Sequence, residues 1–166
     1  MNTILYIVLG IALFMILYQD LKDRAVEVLW LLLPGITGVV YLISDSANNI
    51  ETTLYNLALI TVLYAVVYLY FLLKSKIKQT RFQSFIGAGD VVFHLSLCTV
   101  MSPVSLVTLI VFGNIAGLLL LLLKQAKLTR NSIPLAGIHS GTLFVWLLFA
   151  VFLSPNSNPL LIPLAQ

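Results

Sequence analysis

Two aspartates 70 positions apart, Asp20 in "YQDLKDR" and Asp90 in "GAGD", are the residues of this chain best suited to do chemistry. Each stands where an apolar run meets a polar stretch: Asp20 closes the first run and Asp90 opens a later one. An ionised Asp at the centre of a bilayer costs roughly 2.5–3.5 kcal/mol, and less toward the edge, so such residues face a partner or a water-filled cavity. From Asp90 to Met101 is 12 residues, about 18 Å of helix, against a hydrocarbon core of about 30 Å. The helix is therefore expected to start before Asp90, near Phe85, with the carboxylate at or beneath the interface. Two carboxyls at one depth fit an aspartic dyad. Acids a few ångströms apart do not both ionise easily and share a proton. The ionised one takes a proton from water as general base, and the protonated one hydrogen-bonds the scissile carbonyl as general acid. This chemistry needs two acids and one water, with no metal and no cofactor.

The elements that must position these acids follow from composition. The 166 residues are 60% hydrophobic and 9% charged, with a mean hydropathy of +1.05. A soluble domain of this length cannot cover that much apolar surface, which makes the bilayer the natural solvent. A single cysteine, Cys98, excludes an internal disulfide framework,. Charge-free runs occupy 1–19, 28–44, 52–73, 91–123 and 131–166. A spanning helix needs about 20 mostly apolar residues, and Ser102-Pro103 divides the longest run. The expected fold is all-α, a single domain over 1–166. It is a polytopic bundle of six transmembrane helices near 2–19, 27–43, 53–73, 86–101, 104–123 and 138–154, with antiparallel neighbours.

All nine cations fall in three clusters: Lys22 and Arg24; Lys74, Lys76, Lys78 and Arg81; Lys124, Lys127 and Arg130. These follow the first, third and fifth helices. The loop around 45–51, the loop at 101–103 and the tail beyond 154 have none. The positive-inside rule then puts the three basic loops in the cytoplasm and both termini outside. Asp20 and Asp90 come to the cytoplasmic side together. Asp45 and Glu51 are expected in a solvated outer loop. The N-terminal run, long and without a basic region before it, does not read as a cleavable signal. The polar, basic stretch 74–84 is expected to be the most mobile part.

Around the two acids, Gly87 and Gly89 permit close approach of a strand-like peptide beside Asp90, or alternatively punctuate a helix start or pack helices. Arg24 is placed to pair with Asp20 or Glu27. Asp23 and Glu27, spaced i, i+4, fit a solvated helix end. His94, one turn beyond Asp90 on the same face, is placed to hydrogen-bond or tune it, or to be a buried structural histidine. His139, next to Ser140, is expected at the interface. His94 and Asp90 alone make an incomplete ligand set for a metal, and no metal site is expected. Cys98, on the next turn, reads as packing.

Three segments carry a resemblance to the type IV prepilin peptidases and archaeal preflagellin peptidases, the GxGD membrane aspartyl proteases. "YQDLKDR" resembles the family's first-aspartate motif, "GAGD" at 87–90 resembles the second, and "IPLAG" at 133–137 resembles the Ile-Pro-rich segment before the last helix. With the six-helix layout, the likeness spans essentially the whole chain. Val26-Glu27-Val28 stands where members often carry Ile-Pro-Asn, and Val92 where a lysine is common. With one cysteine and no insert bearing paired CxxC motifs, the match is to the short, peptidase-only form, and N-methylation is not expected. The resemblance implies catalytic Asp20 and Asp90. It also implies a prepilin-like substrate with a basic leader and an adjoining hydrophobic helix, cut at the cytoplasmic face of the inner membrane. A basic leader is not drawn to Lys74–Arg81; Asp23 and Glu27 suit it better. Gly87 and Gly89 would admit the substrate backbone. No nucleic acid is implied, and the oligomeric state stays open.

Three other readings remain. A presenilin-like intramembrane protease also uses a GxGD string, but its aspartates lie deep in the membrane. A small ion- or proton-coupled transporter would use Asp20, Asp90 and His94 as its site, although no repeat or matched pair of broken helices accompanies them. A scaffold of a secretion or pilus assembly would tolerate neutral substitution of the acids.

Overall fold

The computed structural model describes residues 3–23, 25–44, 48–78, 87–124 and 135–153. Those residues form six helices and no strand: α1 (Thr3–Asp23), α2 (Val28–Ser44), α3 (Asn48–Lys78), α4 (Ala88–Leu97), α5 (Pro103–Lys124) and α6 (Leu135–Leu153). Three apolar helices are long enough to cross a membrane, over Ile4–Asp23, Ile50–Lys74 and Pro103–Leu120. The other three apolar stretches, Val28–Ile43, Ala88–Leu97 and Leu135–Phe149, are shorter.

The helices are apolar on every side. In α1, Leu9, Ala12, Leu13, Ile16 and Asp20 point inward, whereas Ile4, Ile7, Ile11, Phe14, Tyr18 and Leu21 form an outward stripe at the same 3–4-residue spacing. A helix hydrophobic all round belongs inside a large protein or in lipid. Helix α1 packs between α2 and α6, α2 lies on α4, and α5 lies on α6; α3 flanks α4 and α5. The core is one cluster running from Leu9 and Leu13 through Phe93, Leu97 and Met101 to Leu106, Leu109 and Leu143.

Small residues set the α2–α4 approach. A Cβ on Gly38 would overlap Thr99, and one on Gly35 would come within 3.2 Å of the Ser96 Cβ. Such close backbone contact replaces the hydrophobic drive that lipid does not supply. Helix α5 begins on a regular start signal: Pro103 follows Ser102, whose Oγ accepts the Ser105 N–H at 3.2 Å,.

Several boundaries depart from the sequence expectation. Helix α3 begins at Asn48, so Glu51 lies in its first turn, where the Tyr55 hydroxyl donates to its carboxylate at 3.2 Å. Negative charge there suits the helix N-terminus. At its other end α3 runs on through Lys74, Lys76 and Lys78 instead of giving way to a loop. Lysine is a good helix former and carries its charge clear of the apolar stem. Asp20 lies within α1, which continues to Asp23. Helix α4 starts at Ala88, not near Phe85, and gives way to a turn at 98–100. Arg24, Asp45 and the whole of 79–84, Arg81 included, where the sequence predicts the greatest mobility, fall outside the described residues.

Candidate functional site

The first turn of an α-helix leaves its N–H groups without intrahelical partners. In α6 those groups belong to Leu135, Ala136 and Gly137, the end of the "IPLAG" string. The Gly137 N–H donates to Asp20 Oδ2 at 2.6 Å. The Ala136 backbone approaches the Asp90 carboxyl. One helix start thus gathers an acid from α1 and an acid from α4 on two consecutive peptide groups. The two carboxylates lie within electrostatic range of each other.

Local sequence explains how each acid gets there. Gly87 is the N-cap of α4, with extended backbone (φ −69°, ψ 135°) and no side chain to cap the helix. Asp90 is the third helical residue, and its carboxyl reaches back to the Gly87 backbone, in the manner of the acid in a capping box. A Cβ on Gly87 would stand 3.0 Å from Asp90 Oδ2. Gly89 has more room, with Leu31 Cδ1 at 3.6 Å from a built Cβ. Asp20 is buried on the inner face of α1, and a Cβ on Gly137 would lie 2.9 Å from its Oδ2 and 3.0 Å from its own Cβ. Glycine at 137 is therefore what lets the carboxylate reach the amide. Negative charge at a helix N-terminus is favourable, by about 0.3–1 kcal/mol at exposed sites and more when buried.

On the α3 side of Asp90 is a cavity of about 320 Å³ between α3, α4, α5 and α6. Its polar lining is Asp90, Tyr64, His94, Asn114 and His139, set among aliphatic walls. His94 Nδ1 lies 2.7 Å from the Asp90 carbonyl oxygen and 3.0 Å from the Tyr64 hydroxyl. A carbonyl only accepts, which assigns the ring proton to Nδ1. His94 therefore bonds the backbone of Asp90 and not its carboxylate. His139 is buried, not interfacial as its place in the sequence suggests. Its Nδ1 bonds the Leu135 carbonyl at 2.9 Å, and its ring meets that of His94 edge-on, with centroids 4.9 Å apart.

The remaining sequence candidates sit outside this cluster. Asp23 and Glu27 are exposed at the end of α1 and in the link to α2. The Glu27 N–H takes the Gln19 side-chain oxygen at 3.0 Å, which steadies that link. Cys98 is buried, with its thiol on the His94 carbonyl at 3.3 Å. Among the described residues, no group of three His, Cys, Asp or Glu side chains is arranged to hold a metal ion.

Sequence reasoning missed the amides of Ala136 and Gly137, the hydroxyl of Tyr64 and the burial of His139. The one signal available was the glycine in "LAG", a small residue in the first turn of an apolar helix.

Comparison with models of protein families, with curated proteins and with solved structures finds nothing that matches this chain.

Proposed function

We propose that the protein is a membrane aspartyl endopeptidase of the short prepilin-peptidase and preflagellin-peptidase kind. In this reading all six helices span the cell's inner membrane, with both termini outside. The observation that carries the reading is that Asp20 and Asp90, on different helices, come to adjacent peptide groups of one helix start, Asp20 bonded to the Gly137 N–H and Asp90 close to the Ala136 backbone. The grouping of every Lys and Arg at the C-terminal ends of α1, α3 and α5 and in the stretches that follow them supports a cytoplasmic location for that end,. One aspartate, ionised, takes a proton from water. The other, protonated, donates to the carbonyl of the scissile peptide, and the proton passes on to the leaving amine. A carboxylate has about four lone-pair sites, so backbone amides can orient it while sites remain for water. The substrate is a prepilin-like protein whose basic leader meets Asp23 and Glu27 and whose adjoining hydrophobic helix stays in lipid.

The test is co-expression with leader-bearing pilins, with leader loss followed by gel shift. Asp20→Asn and Asp90→Asn are each expected to abolish processing while the protein still inserts; Asp23→Asn is the control. Processing that survives either catalytic substitution contradicts the proposal. Loss with Asp23→Asn and not with Asp20→Asn means the first aspartate is Asp23. An ion-coupled transporter built on the same acids would leave leaders uncut in every case and show ion-dependent phenotypes.

A further inference from the structure

The start of α6 has to sit in one register for its two amides to meet two acids, and nothing in Ala136 or Gly137 sets that register. The neighbour that touches α6 from the far side is α5. Gly113, buried on α5, faces the ring of His139 so closely that a Cβ there would run into the ring carbons. The missing side chain makes a notch, and the imidazole fills it. Three contacts fix the ring in that notch. Its Nδ1 bonds the Leu135 carbonyl in its own first turn. It meets the His94 ring, one turn along α4 from Asp90, in a T-shaped contact. It also approaches the Ile110 backbone on α5, while Nε2 makes no well-formed hydrogen bond. Tyr64 from α3 holds His94 in turn. His139 thus touches α4 and α5 from the same turn of α6 that holds both aspartates.

We propose that His139, seated in the Gly113 notch, is a positioning residue that sets the register of α6 so that the Ala136 and Gly137 amides meet Asp90 and Asp20 together. This deepens the peptidase reading and rests on it only for its consequence in catalysis. The register itself is a property of the fold. A side chain at 113 could be accommodated only by displacing the ring or the helix that carries it. A misplacement of about 1 Å at a catalytic group is enough to cost roughly 100-fold in rate.

The experiment reads the two amides directly. Protein labelled with 15N at alanine and glycine is reconstituted in lipid nanodiscs, and the Ala136 and Gly137 amide signals are followed by NMR. Asp20→Asn is expected to move the Gly137 signal most and Asp90→Asn the Ala136 signal most, which identifies each bond. Gly113→Ala is expected to move both signals together. The double variant Gly113→Ala with His139→Ala, in which the overlap is relieved, is expected to bring them part of the way back. If Gly113→Ala does not insert, His139→Ala alone is read in the same way. Amide signals that stay in place in these variants, or that move independently of each other, overturn the proposal.

The same variants, assayed for leader cleavage, are expected to lose kcat about 10- to 100-fold with KM nearly unchanged. A purely structural defect would instead reduce the amount of folded protein. If the amide signals respond as described while Asp20→Asn and Asp90→Asn still cut leaders, the peptidase reading fails and the positioning role stands.

Discussion

The two ends of α4 both bury polar side chains, and they use them in opposite ways. Near Met101, Asn56 of α3 is fully buried and gives its amide hydrogens to the carbonyls of Cys98 at 3.1 Å and Met101 at 2.6 Å. The Cys98 carbonyl belongs to the helix end and the Met101 carbonyl to the turn that follows it,, and a neutral amide meets both without charge. At the opposite end the groups left over are the amides that open α6, and the side chains that meet them are acids. A neutral asparagine or serine caps a helix start about as well as aspartate does. Two carboxylates brought together carry a repulsion that neutral caps avoid. One end of α4 is met by a neutral amide whose own Oδ1 is buried without a hydrogen-bond partner, and the other by two carboxylates that repel each other,. A shared proton relieves that repulsion, and a reaction centre uses such a proton where a structural cap has no need of one.

Gly137→Ala is expected to produce the largest contrast between these ends. Its methyl would fall within 2.9–3.3 Å of atoms of the Asp20 side chain and displace the carboxylate. Leader cleavage per folded molecule should drop about 10- to 100-fold, with little change in the unfolding midpoint in mild detergent. Asn56→Ala should do the reverse. Two buried carbonyls lose their donor, which costs about 1–2 kcal/mol and lowers the midpoint, while cleavage by the folded fraction stays within about twofold. A large rate loss from Asn56→Ala, or a large stability loss from Gly137→Ala, would erase the distinction. The smallest effect belongs to the exposed acids. Asp23→Lys combined with Glu27→Lys should raise KM for a basic leader roughly two- to tenfold. The effect should shrink as salt is added, and a KM that does not move removes these residues as a docking point.

Much of the helical layout is legible in the sequence, because charge and proline interrupt apolar runs wherever the chain must turn. The start of α5 at Ser102-Pro103 is an example, and so is the break after Ser44. The ends of α3 are harder to read. Lysine spacing alone does not separate a basic loop from a helix that carries lysines on its last turns, and Lys74, Lys76 and Lys78 belong to the helix. The acids are conspicuous because a carboxylate beside an apolar run is costly and rare. What joins them is not conspicuous. Backbone N–H groups are the same at every position, and only the missing Cβ of Gly137 marks the two that matter. His139 misleads for a similar reason: a histidine beside a serine at a helix start suggests an interface until the notch opposite, at Gly113, is known. That notch comes from another helix, 26 positions earlier in the chain, where Gly113 and Gly117 mark a close helix contact without saying which side chain fills it,.

The most direct test of the central claim is a double-mutant cycle on the two aspartates. Initial rates of cleavage are measured on purified protein in nanodiscs, with a peptide carrying a basic leader and an apolar stretch, for wild type, Asp20→Asn, Asp90→Asn and the double variant. Groups that act as one unit are grossly non-additive, so each single variant should be as inactive as the double. Single variants that keep part of the activity, with losses that multiply in the double, would show two independent acids and contradict the account.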